Sequence, residues 1–334
     1  MSERPDLARF GVAVGHATDA EGATGLTVVR GVSEPLRGGV AVVGRATGSR
    51  ELLAISSDHL VDGRVDAIML TGGSAYGLDA AAGVMRWMEE RGRGFSIGRG
   101  VVPIVPGAVV FDLAPLGRFD ARPTAEMAYA ATESARSSGI AEGAVGAGTG
   151  TTVGKIGGPE LAMKGGVGLA VEGDPSSGVA AFALAVVNAF GDVRDANGQI
   201  IAGARRAGGE GGFVDTLAAL GRASTTAPSS FERLALRNTT LAVVGVNRAM
   251  PSVELTALAR AATAAFYRRI TPCGTAFDGD IVFAVAPAIG EPLGAAPAVA
   301  GVLAAAALEH AIERAVVLAR GREGIPGIAD TNGH

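Results

Sequence analysis

The apolar run Leu241-Ala242-Val243-Val244-Gly245-Val246 reads as a buried strand, and the chain enters it straight from the polar Arg237-Asn238-Thr239-Thr240. Such a chain must place a threonine at the head of a core strand. Residues 203–238 before it form the main shift of composition. Gly208-Gly209-Glu210-Gly211-Gly212 and Ser224-Thr225-Thr226-Ala227-Pro228-Ser229-Ser230 carry the chemistry of a flexible linker. A linker that delivers one peptide bond to a rigid strand end sets up an N-to-O acyl shift: the Thr239 hydroxyl attacks the Asn238 carbonyl, and water releases the ester. The new N-terminal threonine then carries a hydroxyl nucleophile and, as its base, an α-amine of pKa roughly 7.7–8.0. The blander reading is a polar turn entering a strand. Asn238-Thr239-Thr240 also fits a glycosylation acceptor, which the charged start Met1-Ser2-Glu3-Arg4-Pro5-Asp6, lacking an apolar signal core, disfavours.

Elsewhere strands come in runs and helices flank them. Strands are expected at 10–16, 24–30, 38–44, 65–70, 165–171, 178–190 and 280–285, with an irregular, proline-interrupted course over 101–111. Helices are expected at 78–91, 124–138, 252–268 (with Ser252 as N-cap) and 295–320. Together they favour an α+β or layered αββα sandwich over an alternating βαβ chain, and residues 1–334 read as a single domain. The 51 glycines are interspersed with Val, Ala and Ile, which suits tight turns and close-packed layers.

Composition narrows the function. A net charge of −4, no basic run and only 4% aromatics argue against nucleic acid and anionic membranes as partners. One cysteine, Cys273, excludes an intrachain disulfide, and four scattered histidines without HExxH or paired-Cys spacing argue against a zinc site. Apolar stretches fall short of the ~20 residues of a membrane span. The expectation is a soluble, cytoplasmic protein without metal or cofactor.

Several residues carry candidate chemistry. Asp278 and Asp280, spaced by two at a strand, share one face with side chains roughly 6.5–7 Å apart, placed to orient a nearby cationic amine. Asn188 ends a long apolar strand and either satisfies a turn or donates to an oxyanion. Lys155 and Lys164 stand among glycines and apolar residues. The segment 146–155 fails as a phosphate loop, with Thr149 where Gly is needed and Ile156 where Ser or Thr is needed. Thr71-Gly72-Gly73-Ser74-Ala75-Tyr76-Gly77 departs from a nucleophile elbow at Tyr76, so its glycines read as packing at a strand-to-helix turn.

In order along the chain, Val14-Gly15-His16-Ala17-Thr18-Asp19, Leu70-Thr71-Gly72-Gly73-Ser74-Ala75-Tyr76-Gly77-Leu78, Gly143 to Gly150, Met163-Lys164-Gly165-Gly166, Val187-Asn188-Ala189 and Asn238-Thr239-Thr240 resemble the P1-family peptidases, the L-aminopeptidase/D-esterase or β-peptidyl aminopeptidase family. The resemblance runs from residue 10 to beyond residue 300. With Thr239 in place of Ser and Asp278 and Asp280 in place of Ser and Glu, it leans toward the nylon-oligomer (6-aminohexanoate-oligomer) hydrolases. It implies a four-layer αββα sandwich of the N-terminal-nucleophile type, self-cleaved into residues 1–238 and 239–334. It also implies a tetramer or larger homo-oligomer, no cofactor, and a short-peptide or oligoamide substrate. By the same resemblance Thr239 is the nucleophile and Asn188 the oxyanion or substrate-positioning donor. Asp278 and Asp280 orient the α-amine and assist autocleavage, and a lysine, Lys155 ahead of Lys164, supports the site. The family's tyrosine has no counterpart between Val105 and Leu113, where Phe111 stands. The alternatives are an acyltransferase of the ornithine acetyltransferase type and a non-enzymatic scaffold or binding protein.

Overall fold

The computed structural model describes residues 5–55, 59–209, 211–222, 238–294 and 297–331. Among these, two sheets lie face to face. The first runs, in spatial order, Val12–Asp19, Thr24–Gly31, Ala67–Thr71, Gly107–Val109, Ser49–Arg50. The second runs Gly166–Gly173, Ala180–Asn188, Thr239–Val246, Ile281–Pro287, Leu36–Val42, Arg64–Val65.

Alternation along each strand sorts the side chains into separate layers. In the second sheet Phe182, Leu184, Val186, Leu241, Val243, Ile281 and Phe283 meet Val14, Val29, Ile68 and Leu70 of the first, filling the space between the sheets. The intervening residues Ala181, Ala183, Ala185, Ala242, Val244 and Ala284 face outward, against helices Ser252–Ala262 and Pro297–Val317. On the far side of the first sheet, Leu26, Val28, Ala67 and Met69 pack on Val84, Trp87 and Met88 of helix Ala81–Glu89 and on Ala128 and Ala131 of helix Ala125–Glu133. The architecture is therefore the four-layer αββα sandwich expected. Covered on both faces, the central strands read as continuous apolar runs instead of alternating ones.

Three local expectations change. Residues 204–209 and 211–222 fold as structure rather than linker. Asp192, fully buried, accepts the Ala204 and Thr216 N–H groups at 2.9 and 2.6 Å and pins the segment back before helix Thr216–Arg222. Residues 223–237, including the Ser224 to Ser230 stretch, lie outside the described residues. Ser252 does not cap its helix. Pro251 holds that position, and the Ser252 hydroxyl donates to Gly38 O at 2.6 Å, tying helix to sheet. The pair Asp278 and Asp280 sits in the turn before the strand, which begins at Ile281.

The closeness of helix and sheet rests on glycine. A Cβ on Gly168 would stand 2.0 Å from Ala311 O and 2.5 Å from Ala315 N. Gly168→Ala is expected to force the long helix off the sheet and cost about 1–3 kcal/mol, read as a lowered urea midpoint at unchanged slope.

Candidate active site

The second sheet brings the sequence-predicted residues together at one end of its central strand. Across the antiparallel ladder Asn188 stands opposite Thr239. Across the parallel ladder Leu241 pairs with Ile281, and the bridge Asn238 to Asp278 keeps the same offset, so the turn carrying both aspartates runs beside residues 238–240.

The Thr239 hydroxyl donates to Asn238 O at 2.6 Å, and Gly279 N–H donates to the same oxygen at 3.0 Å. Only glycine fits at 279, since a Cβ there would lie 2.7 Å from Thr239 Oγ1 and 2.9 Å from Ala46 O. Asp280 accepts Thr240 N–H at 2.5 Å and Gly274 N–H at 3.1 Å, one on each carboxylate oxygen. Asp278 accepts Thr275 N–H at 2.8 Å. Burial pushes both carboxyls up, Asp280 to about 7 with the Asp278 charge adding to the effect. The same burial and the two aspartates push the Cys273 thiol up, which keeps it neutral and poorly nucleophilic.

Asn188 is held by its whole amide. Its Oδ1 accepts Thr152 N–H at 3.0 Å and Lys155 Nζ at 2.9 Å, and its Nδ2 donates to Phe111 O at 3.0 Å. A backbone donor on one side and a backbone carbonyl on the other fix which end is oxygen. Lys155 Nζ also donates to Asn188 O at 3.0 Å, and its charge draws the Asp278 and Asp280 carboxyls back down.

Lys164 belongs elsewhere. Wholly buried, its Nζ donates to Thr151 O at 2.6 Å, Thr149 O at 2.9 Å and Gly148 O at 3.4 Å, so it braces the glycine-rich loop from below. Burial, with Arg322 nearby, pushes its pKa down to about 7. Three supporting groups were not evident from sequence: Gly279 N–H, Thr152 N–H and Phe111 O. Phe111 serves the site through its backbone, and the only sequence signal for Gly279 is its being a glycine between two aspartates. Among the described residues no group of three or more His, Cys, Asp or Glu is arranged to hold a metal, and no helix is long and apolar enough to cross a membrane.

A hydroxyl, a carbonyl that already accepts an N–H, two carboxyls and an anchored amide thus meet at one strand end of an αββα sandwich, the layered fold of the Ntn hydrolases. Solved structures share that fold. A β-aminopeptidase from Burkholderia sp. superposes with a TM-score of 0.69 at 21% identity, covering 95% of this chain and 88% of that one. The L-aminopeptidase D-Ala-esterase/amidase from Ochrobactrum anthropi, described as a variant of the Ntn hydrolase fold, gives 0.68 at 18% identity over 96% and 88%. Residues 9–328 match peptidase family S58, and the chain belongs to that family. An uncharacterised aminopeptidase of Mycobacterium tuberculosis is 38% identical over 96% of this chain and 95% of its own. A 6-aminohexanoate-oligomer endohydrolase of Kocuria sp. is 30% identical over 82% of this chain and 72% of its own. The protein is thus an amide-bond hydrolase, and the scaffold reading is set aside.

Two outcomes follow from the buried charges. Lys164→Met removes the Nζ donor from Thr149 O, while Thr151 O keeps Gly165 N–H and Gly148 O keeps the Thr151 hydroxyl, and is expected to cost about 1–3 kcal/mol in urea unfolding. Lys155→Met, changing one ammonium at the site, is expected to lower turnover far more than stability. In a Thr239→Ala background, native Asp280 keeps a proton that the unfolded chain has already lost. The stability that Asp280 contributes therefore falls as pH rises from about 4 to about 7, while buried His16, lowered to about 4, contributes a rise from about 4 to about 6.5 that is common to this protein and its Asp280→Asn variant. Asp280→Asn is expected to remove on the order of 1 kcal/mol of that fall, read by urea unfolding at pH 4.5 and 7.5. Asp112, raised to about 6 by burial, leaves a residual slope of the same sign in both proteins.

Proposed function

We propose that this chain cuts itself between Asn238 and Thr239 and then hydrolyses short amides with Thr239 as an N-terminal nucleophile. One observation carries the reading: the Thr239 hydroxyl lies 2.6 Å from Asn238 O while Gly279 N–H already donates to that oxygen. Attack of Oγ1 on the Asn238 carbon places negative charge on an oxygen with a fitted donor; the C–N bond then breaks as the hydroxyl proton passes to the leaving Thr239 nitrogen, and the acyl group is left as an ester on Oγ1. Asp280, bonded to the next peptide N–H, and Gly279 N–H, bonded to Asn238 O, hold the backbone on both sides of the breaking bond, while Asp278 bonds Thr275 N–H and fixes the turn that carries them. Water cleaves the ester and leaves residues 1–238 and 239–334.

In the cut protein the Thr239 α-amine takes the hydroxyl proton as Oγ1 attacks a substrate carbonyl. Asn188, opposite in the ladder and immobilised by Thr152, Lys155 and Phe111, donates to the substrate oxyanion. The amine product leaves, and water releases the acyl group. The substrate class this reading carries is short peptides, amino-acid amides or ω-amino-acid oligomers, as the names of the 38% and 30% identical relatives suggest.

Purified wild type is expected to run as two polypeptides whose masses place the cut at Thr239, and Thr239→Ala as one. An uncut wild type that still turns over amides would falsify the reading. In cut protein Asn188→Ala is expected to lower kcat about 10²–10³-fold with KM little changed, the loss typical of one oxyanion donor.

A further inference from the structure

A cavity of about 40 Å³ is lined by Ala114 and Pro115 and by Thr152, Lys155, Gly158, Pro159 and Ala162. Thr152 and Lys155 both bond Asn188 Oδ1, so whatever enters this cavity lies next to the proposed oxyanion donor. Both sides are gripped by one segment, residues 320–331, which follows helix Pro297–Val317. Glu323 Oε2 accepts Gly117 N–H at 2.9 Å, and Ile325 is buried with Leu116 and Ala23, which fastens the loop carrying Ala114 and Pro115. Pro326 O accepts Lys164 N–H at 2.9 Å. Lys164 pairs with Thr152 in the short hairpin Thr152–Val153 with Met163–Lys164, so this contact fastens the opposite side. The segment is itself rigid. Asp330 accepts the N–H groups of Gly321 and Gly327, each at 2.9 Å, and Arg322 and Ile325 exchange backbone bonds at 2.8 and 2.9 Å.

We infer that Ile325 and Glu323 are specificity-determining positioning residues: the segment 320–331 clamps the two sides of this cavity and sets the size of acyl group it accepts, favouring glycyl and alanyl over branched residues. The inference rests on the proposed self-cleavage and Thr239 chemistry. It adds that the later-encoded product chain, 239–334, sets the width of a pocket built wholly from the earlier one. A clamp on both sides resists widening, whereas a loop held on one side adapts to a larger guest.

The test uses the full chain with glycine, alanine and leucine p-nitroanilides. Ile325→Ala and the partly exposed Glu323→Ala are expected to cut themselves as completely as wild type and to keep kcat for alanine p-nitroanilide within twofold. Each should raise its KM at least fivefold and lower the alanine-to-leucine ratio of kcat/KM at least fivefold. Ile325→Val should recover most of both. A purely structural role would lower folded fraction, kcat and cleavage together and leave the ratio alone, which overturns the inference, as does wild-type KM and ratio in both alanine variants. A wild type that stays whole removes the proposed function beneath the inference; a cut wild type with indifferent clamp variants removes the inference alone.

Discussion

The strand Thr239–Val246 is bonded on both edges and buried on both faces, and the position of the site follows from that. Its antiparallel neighbour ends at Asn188 and its parallel neighbour begins just after Asp280. A residue at the head of the central strand therefore meets an amide on one side and two carboxyls on the other without any side chain having to reach. A slip of one residue in either ladder would point Thr239 to the opposite face and separate it from its partners. The apolar content of the strand prevents that slip, because Leu241 and Val243 fit the space between sheets while Ala242 and Val244 fit under the helices.

Size sorting explains the unusual composition. Phe182, Leu184 and Phe283 fill the gap between two sheets, where large side chains interdigitate. Alanine and glycine line the faces under helix Pro297–Val317, whose backbone comes close enough at Gly166 and Gly168 to exclude a Cβ. A chain built this way needs few aromatics and many glycines. The glycines at 44 and 279 extend the same principle into the site, bringing backbone against backbone where Asp278 and Asp280 turn; a Cβ on Gly44 would lie 1.9 Å from Asp278 O.

How much of this was legible in the sequence depends on which atoms do the work. Thr239, Asn188, Asp278 and Asp280 announce themselves because the proposed chemistry uses their side chains and because each stands at the edge of an apolar run. Gly279 N–H, Thr152 N–H and Phe111 O act through the backbone, which every residue has, so no residue type marks them. Lys155 and Lys164 look alike among glycines, and only the ladder shows that one faces Asn188 and the other three carbonyls. Residues 203–222 look like linker in sequence because the group that anchors Ala204 and Thr216, Asp192, lies further back in the chain and presents itself as an ordinary polar residue. Ser252 has the right chemistry for a cap and spends it on Gly38 and Ile55, a tertiary partner that local reasoning does not include.

Charge balance links the two steps of the proposed chemistry. In the uncut chain Asp278 and Asp280 share a buried space with Lys155, and burial with their mutual repulsion keeps the carboxyls readily protonated. Breaking the bond before Thr239 adds an amine to that space. Its ammonium form favours ionised aspartates, and ionised aspartates favour the ammonium, so by linkage each raises the charge of the other. Two ionised carboxylates would thus raise the amine's pKa and hold it as ammonium, oriented but already protonated and so unable to accept the hydroxyl proton. A proton retained on the pair relieves this and returns the amine toward its ordinary basicity. The two backbone N–H groups on Asp280 act in the opposite sense, favouring its ionised form. In the proposed mechanism the availability of the base at Thr239 therefore follows from how burial, those two donors and Lys155 divide one proton over the aspartate pair.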